Sequence, residues 1–420
     1  MSKTAGLLNQ YIVPPLTALS ENTYLSAIRA GMVSIVPLTI IGGLFIIVSF
    51  LPVSGWDKII APYLALLQVP VSATFGLLSL FVCFAIGYDL GKQLKQEAIV
   101  SASMATLVFL MIQLKPGAKP DDITLTMDSL GSKGLFTAVI IALVCVRLQK
   151  FFTDKNLVVK LPENVPSIVY ESFLSLIPLF FLVVVFWVIR FVLRVDVDHL
   201  IQTAFRPLVF ALNTLPGILV YAFLVTMLWS VGINGDNAMD AIVAPIFLQY
   251  LTANVEAVTQ GQPLPYVTAY GFFTAFVNVG GTGATIALAL VMWNSKEPGY
   301  RKVSRLSLPT QIFQINEPIF FGFPIVLNPV FMIPYILNAL ILTATTYLLM
   351  QWGVIHKPFV NVPWTTPPIL GHYLVTGGDW KAAIWGAVSI GIAMTVYFPF
   401  AKAAERQRLK AEETGVAHEP

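Results

Sequence analysis

Apolar residues run through this chain in long blocks separated by short polar breaks. Residues 30–51 form the first block, and Pro52, Gly55 and Trp56 close it like an interfacial turn. Further blocks cover 71–90, 98–114, 135–148, 173–193 and 208–229. A block of roughly 20 apolar residues is long enough to cross a bilayer as a helix. Residues 6–25 and 195–206 mix apolar and polar positions and read as helices lying along the membrane surface, the first equally as a plain ordered leader. Residues 115–133, with Pro116, Gly117 and Pro120, read as an aqueous loop, and 151–170 as a bent interfacial linker.

After residue 229 the pattern changes. Apolar stretches at 238–251, 286–293, 330–349 and 382–400 alternate with glycine, proline, asparagine and isolated charge. The expected fold is an all-α polytopic membrane protein of about ten transmembrane helices, plus re-entrant hairpins and amphipathic surface helices. The change near the midpoint divides it into an N-terminal domain (1–205), a C-terminal transport domain (206–402) and a charged, solvated tail (403–420).

Composition agrees with this pattern. Of 420 residues, 56% are hydrophobic and 11% charged, against about 25% charged in soluble domains. The net charge of +3 and the lack of a basic stripe interleaved with aromatics argue against a nucleic-acid partner. Cys83 and Cys145 both fall inside apolar blocks, where cysteine is inert, and make no disulfide framework or zinc site. The N-terminus lacks a signal-peptide pattern, so the first span is expected to direct insertion. Lys3 and Arg29, Lys92 and Lys95, Arg147 to Lys160, Lys296 to Arg305 and Lys402 to Lys410 are separated by pairs of crossings. The positive-inside rule puts all of them in the cytoplasm, with both termini. Arg190 and Arg194 run against that bias.

The candidate chemistry lies in the second half. In Gln314-Ile315-Asn316-Glu317-Pro318-Ile319-Phe320-Phe321-Gly322-Phe323-Pro324 a carboxylate and an amide sit between prolines and a glycine in an otherwise apolar run. An ionisable residue at membrane depth is a functional-site hypothesis by default, and irregular backbone survives there only beside protein or a water-filled cavity. Glu317 is therefore expected to be buried and to grip a polar solute; otherwise it is a structural carboxylate paired with a cation. Asn316 adds a donor and acceptors suited to hydroxyl-rich ligands. Asn234 in Gly232-Ile233-Asn234-Gly235 and Asn278 before Gly280-Gly281-Thr282-Gly283 serve alike, or cap freed backbone. The glycine turn has no preceding strand and no Gly-Lys-Ser/Thr, which excludes a P-loop; its role is close backbone approach. Trp364 is a candidate to stack on a pyranose ring, or an interfacial tryptophan. Asp236 and Asp240 read as interfacial, and His356 and His372 as non-catalytic. No nucleophile triad, metal-ligand spacing or cofactor motif is present, and no cofactor is expected.

The Asn-Glu-Pro stretch with Asn328-Pro329, Gly280 to Thr285, Val362-Pro363-Trp364-Thr365 and Leu161-Pro162-Glu163-Asn164-Val165-Pro166 together resemble the membrane (IIC) component of the phosphoenolpyruvate-dependent sugar phosphotransferase system, in its lactose/cellobiose/diacetylchitobiose branch. The resemblance spans nearly the whole chain. It implies a homodimeric permease in a bacterial cytoplasmic membrane. The N-terminal spans form a scaffold, against which the C-terminal half moves as an elevator carrying a disaccharide, here of the β-linked, cellobiose-like kind. A separate cytoplasmic IIB protein, charged through IIA, donates phosphate from cysteine to the sugar's 6-hydroxyl. The glutamate carried over is Glu317, helped by Asn316, Gly281, Thr282, Asn278 and Trp364. Where the family has a histidine in Gly-Ile-His-Gly, this chain has Asn234, which cannot take a proton near neutral pH. The alternatives are a proton-coupled sugar permease with Glu317 as proton carrier, and a sugar-sensing or bacteriocin-receptor protein that does not transport.

Overall fold

A computed structural model describes residues 21–50, 55–117, 123–159 and 173–413. Residues 6–20 of the surface helix expected over 6–25, and the Leu161 to Pro166 part of the linker, lie outside these residues; 23–25 belong to the first helix. Asn22 opens the first helix, α1 (Thr23–Ser34), its side chain accepting from the Tyr24 and Leu25 amides, which a helix start leaves without partners. With α2 (Val36–Ser49) it makes one apolar crossing of 27 residues. A short helix α3 (Trp56–Ile60) leads into α4 (Leu64–Phe75) and α5 (Leu78–Gln93). These three belong to one apolar segment that begins before the expected 71–90 block and carries Pro70 without ending there. After it come α6 (Ala98–Gln113), a two-residue hairpin of β1 (Lys115–Pro116) and β2 (Ile123–Thr124), α7 (Met127–Leu130) and α8 (Leu135–Asp154). The hairpin occupies the expected aqueous loop.

Helices α1, α5, α6 and α8 form the N-terminal bundle. Gly87 and Gly91 let α5 approach α6 closely: a Cβ on them would lie 2.9 Å from Ala102 and 2.7 Å from Ser101. Small residues at this spacing are how membrane helices gain contact where apolar burial alone supplies no driving force. Cys83 and Cys145 are buried in this bundle as free thiols.

Next, α9 (Leu176–Trp187) continues through a π-turn at Val188–Val192 and bends by 85° into α10 (Val197–Leu212). A helix was expected over 195–206, and α10 runs longer at its C-terminal end. The span expected from 208 instead begins at α11 (Leu215–Ser230), because Thr214 caps it and Pro216 fits its first turn. Buried Arg190 donates to the Leu114 carbonyl at 2.9 Å and pairs with Asp196 at 3.3 Å, which explains a cation placed against the charge bias.

The second half contains α12 (Gly235–Thr259), α13 (Phe272–Phe276), α14 (Ile286–Met292), α15 (Pro298–Gln311), α16 (Glu317–Gly322), α17 (Pro329–Gln351), α18 (Leu370–Val375) and α19 (Trp380–Glu413). Helices α11, α17 and α19 pack in series, and α14 lies against α19. Among the described residues six helices are long and apolar enough to cross a membrane; α6 and α11 are shorter apolar helices, and α9 with α10 is a bent pair. The tail is not wholly solvated as expected. Helix α19 is continuous to Glu413, and buried Glu405 accepts from the Ser295 hydroxyl and the Lys296 amide, both at 2.5 Å.

Candidate functional site

Three chain reversals meet in the second half. The first joins α11 to α12. Gly232 takes φ +89°, and Asn234 caps α12 by accepting from the Asn237 amide at 2.9 Å. The second lies between α13 and α14, where Gly280, Gly281 and Gly283 take φ of +73°, +105° and +76°. Only glycine enters this region at no cost. The third follows α15, where Gln314 takes φ +67° and the chain re-enters a helix at Glu317 with Pro318 in its first turn. The Leu327 amide then returns to the Ser230 carbonyl at 2.9 Å, closing the set.

Side chains bind the second and third reversals together. Buried Gln314 accepts through Oε1 from the Gly280 and Gly281 amides, at 2.8 and 3.2 Å. Buried Asn316 donates through Nδ2 to the Thr282 carbonyl at 3.1 Å. The approach is so close that a Cβ on Gly281 would lie 2.4 Å from the Asn316 Cβ. Asp236, in the first turn of α12, joins the first reversal to the second. Its Oδ1 accepts from Asn278 Nδ2 at 3.1 Å; its Oδ2 accepts from the Thr282 hydroxyl at 2.5 Å and the Trp229 indole N–H at 2.8 Å. Trp229 packs edge-on against Phe320, and Phe320 against Tyr335, at centroid separations of 5.1 and 5.7 Å. Tyr397 donates to the Gly283 carbonyl at 2.8 Å. Amides, hydroxyls and one carboxylate thus lie on an aromatic floor. This donor and acceptor set suits a neutral, hydroxyl-rich ligand. Asp236 already receives three donors, which leaves it poorly placed to hold a cation. Among the described residues no three or more metal-ligating side chains come together.

The structure thus assembles four expected residues, Asn316, Gly281, Thr282 and Asn278, into one cluster. Asn234 lies at its edge, half-buried, with its oxygen spent on capping and its amino group left as a donor. Glu317 departs from expectation. It is exposed, and among the described residues it has neither a cation nor a hydrogen-bond partner. The positive-φ turn at Gln314 and the proline-led helix send Asn316 inward and Glu317 outward. The carboxylate is therefore exposed beside the cluster, and the structural ion-pair reading also finds no support. Trp364 is exposed on the loop whose Asn361 donates to Thr39 of α2 at 2.6 Å, and none of the hydrogen bonds or ring contacts among the described residues ties it to the cluster. Asp236, expected to be interfacial, is instead the residue on which the cluster converges. Trp229, Gln314 and Tyr335 were not singled out. For Gln314 the signal was its place within the Asn-Glu-Pro stretch; for Asp236 it was the position just inside a Gly-Ile-Asn-Gly cap.

A separate small cavity lies where the two halves meet. Arg29, Thr39, Asn237, Asp240, Tyr270 and Asn361 line a space of about 60 Å³, room for a few waters and far too little for a disaccharide.

A multi-helix membrane protein with a glycine-turned polar junction is the class these features define. The family model described as "Phosphotransferase system, EIIC" matches residues 29–339. The chain is 35% identical to the cellobiose-specific EIIC component of Geobacillus stearothermophilus, over 98% of this chain and 97% of that one. It is 33% identical to the lichenan permease IIC component of Bacillus subtilis (strain 168), over 98% and 96%. Among solved structures it superimposes on ChbC, the IIC component of the N,N'-diacetylchitobiose-specific phosphotransferase system, with TM-score 0.90 and 33% identity, covering 97% of this chain and 99% of that one. The chain belongs to the EIIC family of the phosphotransferase system and is a multi-pass membrane permease of the lactose/cellobiose/diacetylchitobiose branch.

Proposed function

We propose that this protein binds a β-linked disaccharide of the cellobiose or diacetylchitobiose kind, carries it across the bacterial cytoplasmic membrane and presents its 6-hydroxyl for phosphorylation by a cytoplasmic IIB partner, itself charged through IIA. The observation that carries the reading is the convergence of Asp236, Asn278, Thr282, Gln314 and Asn316 beside an open Glu317. The names of the relatives supply the sugar class.

In this reading the cluster fixes the sugar ring and Glu317 reaches the reacting hydroxyl. The sugar oxygen bonds to phosphorus as the cysteine S–P bond breaks. The thiolate leaves with the electron pair, and the hydroxyl proton passes to the Glu317 carboxylate. With its oxygen committed to the α12 cap, Asn234 supplies a donor, and Glu317 acts as the base alone. Trp364 stacks on the sugar when its loop closes. Ten crossings follow when the six long helices are joined by α6, α11, the α9 limb of the bent pair and the broken stretch from α13 to α14. This number leaves both termini cytoplasmic. Residues 1–205 form the scaffold of a homodimer, and 206–402 move against it as an elevator, followed by a tail from 403.

The test is uptake into right-side-out vesicles loaded with or without phosphorylated IIB. Sugar emerging phosphorylated supports the reading; sugar accumulating unphosphorylated in response to a pH gradient overturns it. Glu317→Gln is expected to slow phosphorylation by about 10²- to 10⁴-fold, the usual contribution of a positioned base, with binding weakened far less.

A further inference from the structure

The Asn278 amide group is only half satisfied. Its Nδ2 donates to Asp236, while its Oδ1 is buried and has no hydrogen-bond partner. The residue as a whole is 9% exposed. An asparagine amide offers two opposite faces of similar shape, and which one points where depends on its neighbours. Here the neighbour decides. A carboxylate only accepts, so Asn278 must turn its NH₂ toward Asp236 and its carbonyl oxygen the other way. A buried acceptor left without a donor is costly, so this oxygen favours an O–H donor from the ligand.

We infer that Asp236 is the positioning residue that sets the polarity of Asn278, making the Asn278 oxygen a dedicated acceptor for one hydroxyl of the bound sugar and thereby selecting for a hydrogen-bond donor at that ring position. The inference rests on the sugar-binding reading above and adds to it a direction of hydrogen bonding. Asp236 does not touch the sugar; it acts through Asn278.

The arrangement makes a sharp prediction for Asp236→Asn. The Oδ2 side receives the Thr282 and Trp229 donors, and the Oδ1 side faces Asn278. A carboxamide satisfies the first side with its oxygen and turns its NH₂ to the second. Asn278 must then flip, accept from residue 236 and offer its own NH₂ to the sugar. All three contacts survive, so the fold is retained, but the site now favours an acceptor where it favoured a donor.

The probes are cellobiose and its mono-deoxyfluoro derivatives, in which C–F replaces one hydroxyl with a group that cannot donate. Binding to the purified protein is measured by titration calorimetry. In the wild type one derivative is expected to bind about tenfold more weakly through loss of the donor to Asn278. In Asp236→Asn that penalty is expected to shrink to less than about twofold while the penalties at other positions remain. Asn278→Ala, which leaves Asp236 in place, is expected to erase the same penalty and no other. An unchanged fluoro profile in both variants overturns the inference, as does a uniform loss of affinity across all derivatives. If wild-type protein binds cellobiose with no positional penalty, the acceptor role is overturned and the sugar-binding reading stands. If no disaccharide tested binds, both fall.

Discussion

Asn316 and Glu317 are adjacent in sequence and opposite in fate: the amide is buried against the Thr282 carbonyl and the carboxylate is open. A hydropathy reading cannot separate them, because both interrupt the same apolar run. The turn at Gln314 that separates them is a backbone property, invisible until the chain is folded. The same limit hid Asp236. That residue follows a cap, and whether such a residue faces solvent, lipid or a neighbouring hairpin depends on partners some 40 residues away. The glycines were legible because their freedom is local. Gly281→Ala is expected to weaken sugar binding at least tenfold and to destabilise the protein by about 1–3 kcal/mol, since the methyl meets Asn316 and φ is +105°. Calorimetry and thermal unfolding in detergent measure both. Asn234→His tests whether position 234 takes part in proton transfer. A phosphorylation rate unchanged from wild type is the expected outcome when Glu317 acts alone, and a clear acceleration would restore position 234 to the proton pathway.

At the scale of elements, periodicity and length located most apolar helices to within a few residues, and a cap explains the late start of α11. The α11 start moved from 208 to 215 because the Thr214 hydroxyl oxygen accepts from the Gly217 amide at 3.2 Å, a local bond that outweighs apolar content. The bend between α9 and α10 is held by Arg190 and Asp196. Burial of Asp196 opposes its ionisation, but the His199 amide and the Arg190 guanidinium win and hold its carboxyl below the usual range. A depressed carboxyl contributes stability above its unfolded value, near pH 4, and loses it as pH falls through the folded one. Asp196→Asn is therefore expected to lower the unfolding temperature at pH 6, and the two proteins are expected to converge as pH falls through the lowered folded-state value. Because Asp196 is nearly half exposed, solvent screening keeps the difference at about 1 kcal/mol or less. Thermal scans across pH measure it.

At the scale of the molecule, the change in polar texture after residue 229 was legible, whereas the contacts between the first and second halves of the chain were not, since contact between distant segments leaves no periodic trace. Asn361 reaching Thr39 is one such contact, and the water-sized cavity beside Arg29 and Asp240 is another. Thr39→Cys with Asn361→Cys is expected to cross-link the halves on oxidation, stop uptake and leave sugar binding intact, with reduction restoring transport. Uptake that persists in the cross-linked protein would show that this junction does not move. The native Cys83 and Cys145 are buried and do not interfere. Helix α19 adds a different constraint. Its 34 residues extend for about 50 Å, whereas the hydrocarbon core is about 30 Å thick. The end that leaves the membrane is thus a rigid shaft, and what it transmits is angle. Each residue added to a helix rotates everything beyond it by about 100°. One alanine inserted after Ala403 would swing Glu405 away from Ser295 and Lys296 while leaving every membrane-embedded residue in place, so the loop ahead of α15 is set by the phase of a helix as well as by its sequence.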